Sequence, residues 1–283
     1  MNYGNFLMRV RKHLQQHRGL IGAVRAVRAL WVLGPWQNVF IHYHRKFSRN
    51  PLLPRNEKSL FESLNVASFV AGLKINGFAR GLQVPQPLVG EIKQFCERQP
   101  ANAHNNPHLH CEAIKQIAHD PKVIEVAERY LGAEPILYQT SLYWSSPTAD
   151  GKLERQPRFH YDIGDYRAVY LFIYLTDVDE QSGPHLIIEG THRRKTFRQL
   201  LSRHLSDEEV QNQFDGRIRT ICGNSGEGFF EDLTCYHKRS TTTKPRLMLT
   251  IAYMLQRTPL LKSPATNTIS NAEENLARLV QTS

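Results

Sequence analysis

Arg158-Phe159-His160-Tyr161-Asp162 sets an imidazole and a carboxylate two residues apart in a stretch that reads as extended. Side chains at i and i+2 of a strand share a face, so His160 and Asp162 project together. At the mouth of a barrel such a pair supplies two of the three ligands of a 2-His-1-carboxylate iron site. Alone, the pair is more often an ordinary hydrogen-bonded couple, and its meaning rests on what surrounds it.

Around it lie short runs rich in β-branched and aromatic residues, separated by Gly, Pro, Ser and Asp. They are Ile136 to Trp144, Tyr166 to Thr176, His185 to Ile188, Arg217 to Ile221, Gly228 to Phe230 and Arg246 to Leu255. These read as strands. Before them, Leu60 to about Gly132 reads as mainly helical. Pro87 to Glu97 and Pro121 to Leu131 are the clearest helices, with Asp120 as N-cap and Gly132 as stop for the second. Helices first and strands after predict an α+β chain whose second half is a sandwich or jelly roll.

The order of features after the His-x-Asp pair gives it weight. The strand Val169 to Leu175 and the acidic turn Thr176-Asp177-Val178-Asp179 lead into Ser182-Gly183-Pro184-His185, and Glu189-Gly190-Thr191-His192 follows. Then come Gly226-Glu227-Gly228-Phe229-Phe230 and Cys235-Tyr236-His237, and nine residues on Arg246 opens the last strand. From about Ser68 to Gln256 the chain resembles the phytanoyl-CoA dioxygenase family. The resemblance implies a double-stranded β-helix (cupin-like jelly roll) core in which His160, Asp162 and His237 bind Fe(II) and Arg246 holds the far carboxylate of 2-oxoglutarate. Arginine suits that place because its planar fork pairs bidentately with a carboxylate. The implied reaction consumes dioxygen, releases succinate and CO2 and hydroxylates a small organic molecule, with ascorbate as a stimulant. Desaturation, ring formation or epoxidation would use the same ligands. The namesake's Pro-Gly-Ser-His turn is here Glu189-Gly190-Thr191-His192, which suggests a substrate unlike an acyl-CoA thioester.

On the strand Ile136 to Trp144, alternation puts Gln139, Ser141 and Tyr143 on one face. Ser141 and Tyr143 are candidates for the keto-acid end of 2-oxoglutarate. His192 rivals His237 as third ligand, but the family's turn histidine is structural. His185 reads as a strand-start residue without a role in chemistry. His104, His108, His110 and Cys111 match no zinc spacing and read as a surface loop. Tyr170, Phe172 and Tyr174 share a face and read as core.

The 283 residues, 41% hydrophobic, suffice for a core without disulfides. The four cysteines form no CxxC pair, there is no apolar run of membrane-spanning length and the start lacks a signal-peptide pattern; a cytoplasmic protein is expected. The net charge of +10 is carried entirely by residues 1–56, which hold ten Lys and Arg and no Asp or Glu, while the rest balances 26 basic against 26 acidic residues. Nucleic acid is therefore not indicated for the body of the chain. Asn5 to Leu33 reads as an amphipathic helix with arginines at 11, 18 and 25, and a basic and aromatic stretch from Trp36 to Phe47 follows. Two readings of this extension carry equal weight: packing on the catalytic domain, or binding an anionic membrane surface. The expected organisation is 1–56 basic helical extension, 57–260 dioxygenase domain and 261–283 a partly helical tail. The alternatives are a cupin-like metal-dependent isomerase or epimerase and a non-catalytic, membrane-recruited binding module.

Overall fold

The computed structural model of the chain describes residues 27–47, 50–101, 103–145 and 158–255. Most of the expected arginine-striped helix and the whole of the expected C-terminal tail lie outside these residues.

Residues 27–33 are helical, and α1 (Gln37–Phe47) follows after a turn. Ala29, Val32 and Ile41 are buried against the body of the protein. Arg28 Nη2 donates to the Ile163 carbonyl at 2.7 Å, Gln37 Nε2 to that of Tyr166 at 2.6 Å and Arg45 Nε to that of Leu131 at 3.0 Å. Among the described residues, no helix is long and apolar enough to cross a membrane.

Next come α2 (Val66–Asn76), β1 (Phe78–Gln83), α3 (Gln86–Arg98), β2 (Ala103–Asn105), α4 (Glu112–Ala118) and α5 (Pro121–Leu131). The two helices expected to be clearest are both present. Asp120 accepts from the backbone N–H of Lys122 and Val123, and Gly132 ends α5 in the left-handed conformation. The helical reading of this stretch needs correcting at β1 and β2. Gly77, at φ +87, stops α2 and turns the chain straight into β1, an edge strand whose period is broken by a bulge between Arg80 and Leu82. That break hides the strand from a search for strict alternation.

The strands then run β3 (Ile136–Ser145), β4 (Phe159–His160), β5 (Ala168–Tyr174), β6 (His185–Ile188), β7 (His204–Leu205), β8 (Ile218–Ile221), β9 (Glu227–Glu231), β10 (His237–Arg239) and β11 (Arg246–Met254). Two short helices, α6 (Phe197–Leu201) and α7 (Asp207–Phe214), interrupt the series; both begin with capping boxes, at Thr196 and Ser206. Every pairing is antiparallel. One sheet has the order β1-β9-β5-β11-β3-β2 and the other β7-β4-β10-β6-β8. The two sheets form the jelly-roll core expected from the strand pattern.

Alternation along β5, β9 and β11 splits the interior in two. Leu171, Ile173, Phe230, Leu249 and Ile251 point outward and join α2 to α5 in the larger core. Phe172, Tyr174, Phe229 and Met248 point inward, toward Ile187 and Ile221 of the second sheet. Of the row Tyr170, Phe172, Tyr174 the last two are buried core, and Tyr170 packs against them partly buried.

Candidate active site

The site is assembled on the inner face of the smaller sheet. β10 lies between β4 and β6, and in its register His237 stands directly opposite His160. Side chains of directly opposed residues share a face, which brings together two imidazoles 77 positions apart in sequence. Asp162 follows β4 by two residues, and its N–H donates to the Leu233 carbonyl at 2.8 Å, tying it to the loop before β10. That loop is itself pinned. The Asp232 carboxylate accepts from Thr234 N at 2.9 Å, Thr234 Oγ1 at 2.6 Å and Tyr130 Oη at 2.5 Å, so α5 braces the approach to His237.

One ligand atom from each of His160, Asp162 and His237 lies within 4.8 Å of the other two. Asp162 Oδ2 is 4.0 Å from His160 Nε2 and 3.7 Å from His237 Nε2. Both imidazoles are oriented in the same way: Nδ1 faces the backbone carbonyl two residues earlier, Arg158 for His160 and Cys235 for His237, each at 3.0 Å. Nδ1–H donation to those carbonyls leaves the Nε2 lone pair free to point at a common centre. The other oxygen of Asp162 is held by Arg203 Nη2 at 3.0 Å, and Arg203 Nε donates to the Tyr161 carbonyl at 3.1 Å. Asp162 is thus aimed from behind. Arg203 gave no sign in the sequence, because it reaches Asp162 from 41 residues away across the β4–β7 pairing.

The electrostatics of the three residues differ. Burial opposes ionisation of Asp162, but His237, His160 and Arg203 outweigh it and hold the carboxyl at about 2. Burial lowers His160, and neighbouring His237 lowers it further, which keeps the ring neutral and available as a ligand. For His237 burial pulls down while Asp162 and Glu231 pull up, and the net direction is upward.

His185, expected to be without a role, does start β6, yet it stacks on His237 with ring centroids 5.3 Å apart. Its Nε2 lies 2.7 Å from Oε2 of Glu231, although the two are not aligned as a hydrogen bond. Glu231 is fully buried, and its Oε1 lies 3.6 Å from His237 Nδ1. This histidine and carboxylate, 46 positions apart, are joined only by the facing of the two sheets.

Arg246, first residue of β11, is buried on the inner face of the larger sheet, which looks toward the smaller one. Its Nη1 donates to the Gly183 carbonyl and its Nη2 is 3.5 Å from Ser145 Oγ, while Nε has no partner. Burial lowers its pKa, yet guanidinium stays charged. Ser141 and Tyr143 lie on β3 opposite Thr250 and Met248, four and two positions along from the Ser145–Arg246 pairing and on the same face. Gln139 Nε2 donates to Ser141 Oγ at 3.0 Å.

The rival histidines sit elsewhere. His192 lies 3.3 Å from the Lys74 carbonyl and 3.5 Å from Cys235 Sγ, on the side of the fold where α2 ends. His108 Nδ1 pairs with Thr140 Oγ1 at 2.8 Å, and His104 packs on Phe95. On the outer face of the ligand-bearing strands, Tyr161 and Tyr236 are buried edge to face, 5.3 Å apart, with Lys195 Nζ over both rings. Burial pushes that lysine down to about 8.

No family model matches the chain. It is 24% identical over 164 residues to the ectoine dioxygenase of Bordetella parapertussis; the match covers 49% of this chain and 51% of that protein, so the chain spans about half the length of this curated relative. Among solved structures it is similar to EctD from S. alaskensis with bound Fe, at a TM-score of 0.54 and 16% identity, over 74% of this chain and 85% of that one. It is also similar to the epimerase SnoN in complex with Fe3+, alpha ketoglutarate and nogalamycin RO, at a TM-score of 0.54 and 16% identity, over 71% and 91% of the two chains. At such identities the likeness to the solved structures is one of fold.

Proposed function

We propose that the chain is an Fe(II)- and 2-oxoglutarate-dependent dioxygenase, related to the phytanoyl-CoA dioxygenases, that hydroxylates a carbon of a small organic molecule. The observation that carries this reading is that His160, Asp162 and His237 converge on the inner side of one sheet while Arg246 is buried on the inner side of the sheet facing it. Two imidazoles and a carboxylate gather at one place, and a buried guanidinium with an unpartnered Nε stands across from them.

The residues fit both absent groups. Two imidazole nitrogens and one carboxylate oxygen suit Fe(II) and leave coordination positions open for a cosubstrate. A buried, unpartnered donor is costly unless a ligand satisfies it, and a carboxylate is the natural acceptor for Arg246 Nε. Bound iron with 2-oxoglutarate and dioxygen supplies the oxidising equivalent that removes a substrate hydrogen, with succinate and CO2 as coproducts.

The chain's own part is orientation. The Arg158 and Cys235 carbonyls fix the tautomer of the two histidines, and Arg203 turns Asp162 so that Oδ2 faces them. Arg246 would set the reach of the cosubstrate, with Ser141 and Tyr143 on the adjoining strand beside its keto-acid end. Arg246 also weighs against a cupin-like isomerase, which needs no anchor for a dicarboxylate. A protein of this kind is expected in the cytoplasm.

The test is succinate release dependent on Fe(II) and dioxygen, together with visible charge-transfer absorption when 2-oxoglutarate is added to the anaerobic Fe(II) protein. Succinate formed without iron, or no absorption change on adding the oxo acid, refutes the assignment.

A further inference from the structure

More than half of the large apolar side chains exposed among the described residues fall between positions 27 and 52. At about 100° per residue, Trp36, Val39, Tyr43 and Phe47 fall within about 80° of one another, on one face of α1 and the turn that precedes it. Their exposures are 39%, 68%, 58% and 58%, and Trp31, at 52%, adjoins them with its ring 6.5 Å from that of Trp36. The face is not spare core awaiting a place. The opposite side of the same helix is already seated, through buried Ile41 and the bond from Arg45 to Leu131, while Phe40 stacks on Tyr166 at 5.0 Å. A fixed helix therefore presents aromatic rings outward, where contiguous apolar surface marks an interaction site.

The charge of the segment selects the partner. Residues 1–56 hold ten Lys and Arg and no acidic residue, and Lys46 borders the aromatic face with its Nζ 5.5 Å from the Phe47 ring centroid. A second copy of the chain would oppose the same basic excess to itself. Trp and Tyr over a basic segment match the headgroup layer of a bilayer bearing negative lipids.

We propose that the outward face of residues 31–47 docks on an anionic membrane surface, with the rings entering the headgroup region and Lys46 beside them meeting the lipid phosphates. Docking there brings the backbone just after Asp162 toward the bilayer, because Arg28 is bound to Ile163 and Phe40 to Tyr166.

The test is co-sedimentation of the full chain with phosphatidylglycerol-rich vesicles and with pure phosphatidylcholine vesicles, for the wild type and for a Trp36→Ser, Val39→Ser, Tyr43→Ser, Phe47→Ser variant. The wild type should bind the anionic vesicles, more weakly as salt rises, and bind the neutral ones far less. The variant should bind at least about a hundredfold more weakly, because it loses several interfacial side chains. It should stay folded and melt close to the wild type, giving up inside the protein only the bond from Trp36 Nε1 to the Trp31 carbonyl and the ring contact beside it, whereas Phe197→Ser with Leu201→Ser, an apolar pair elsewhere on the surface, should bind like the wild type. Failure to bind anionic vesicles overturns the proposal, as does equal binding by the quadruple variant. A lipid-free dimer in sedimentation velocity that the same substitutions dissolve would assign the face to self-association instead.

Discussion

The two faces of the six-stranded sheet bury their residues in different company. Toward the helices, Leu171, Ile173, Phe230, Leu249 and Ile251 join Ile114, Ile117 and Ile124 in one apolar cluster, and the polar groups there, such as Tyr253 Oη on the Ala118 carbonyl, are hydrogen-bonded. Toward the second sheet, Phe172, Tyr174, Phe229 and Met248 share the space with Glu231, His185 and Arg246, several of whose polar atoms lack hydrogen-bond partners. Unpaired polar groups in a low-dielectric interior cost stability, so the inner face is not the one that holds the fold together. The outer face supplies the stability against which the inner face keeps groups ready for ligands.

That division can be broken or sharpened by substitution. The largest effect belongs to the ligands. Fe(II) at a thousandfold over its Kd should stabilise the wild type by about 4 kcal/mol. Asp162→Ala and His237→Ala should lose that increment and all iron-dependent succinate release, and His192→Ala should keep both. Melting curves with and without metal, and a succinate assay, decide the matter; an inactive His192 variant beside an active His237 variant would reverse the ligand assignment.

The buried pair behind His237 comes next. Glu231→Leu alone should cost about 3–5 kcal/mol by stranding His185, whereas Glu231→Leu with His185→Leu should recover most of the loss in a denaturant titration. If the double variant were the worse of the two, the pair would be a source of stability and the contrast between the faces would fail. On the outer face, Ile124→Ala should cost about 2–5 kcal/mol. Its metal affinity, measured on the folded protein, should equal that of the wild type. The smallest effect is expected at Arg203, where Arg203→Met should weaken metal binding about 10- to 100-fold with little change in the apo melting temperature.

How much of this was legible in the sequence follows the same line. His160 and Asp162 were readable because their relation is local, and Arg246 because it opens a long alternating strand. The strands that carry the ligands are only two and three residues long at β4 and β10, too short for periodicity to show, so the opposition of His160 and His237 emerges only from sheet pairing. Arg203, Glu231 and the involvement of His185 were invisible for the same reason: each acts on a residue more than 40 positions away, with no local pattern to mark it. The N-terminal segment was read as either packed or membrane-facing, and buried Ala29, Val32 and Ile41 seat one side of it on the body of the protein.

The two carbonyls that receive Nδ1–H from His160 and His237 carry a consequence for how the centre tolerates change. In many metal sites the orientation of an imidazole depends on a neighbouring side chain, and one substitution there releases it. Here each acceptor is main chain, two residues back in the segment that leads into the strand, and every amino acid provides it. Side chains around the ligands are thereby left free to vary with the substrate, while the direction of both nitrogens is inherited from the backbone itself.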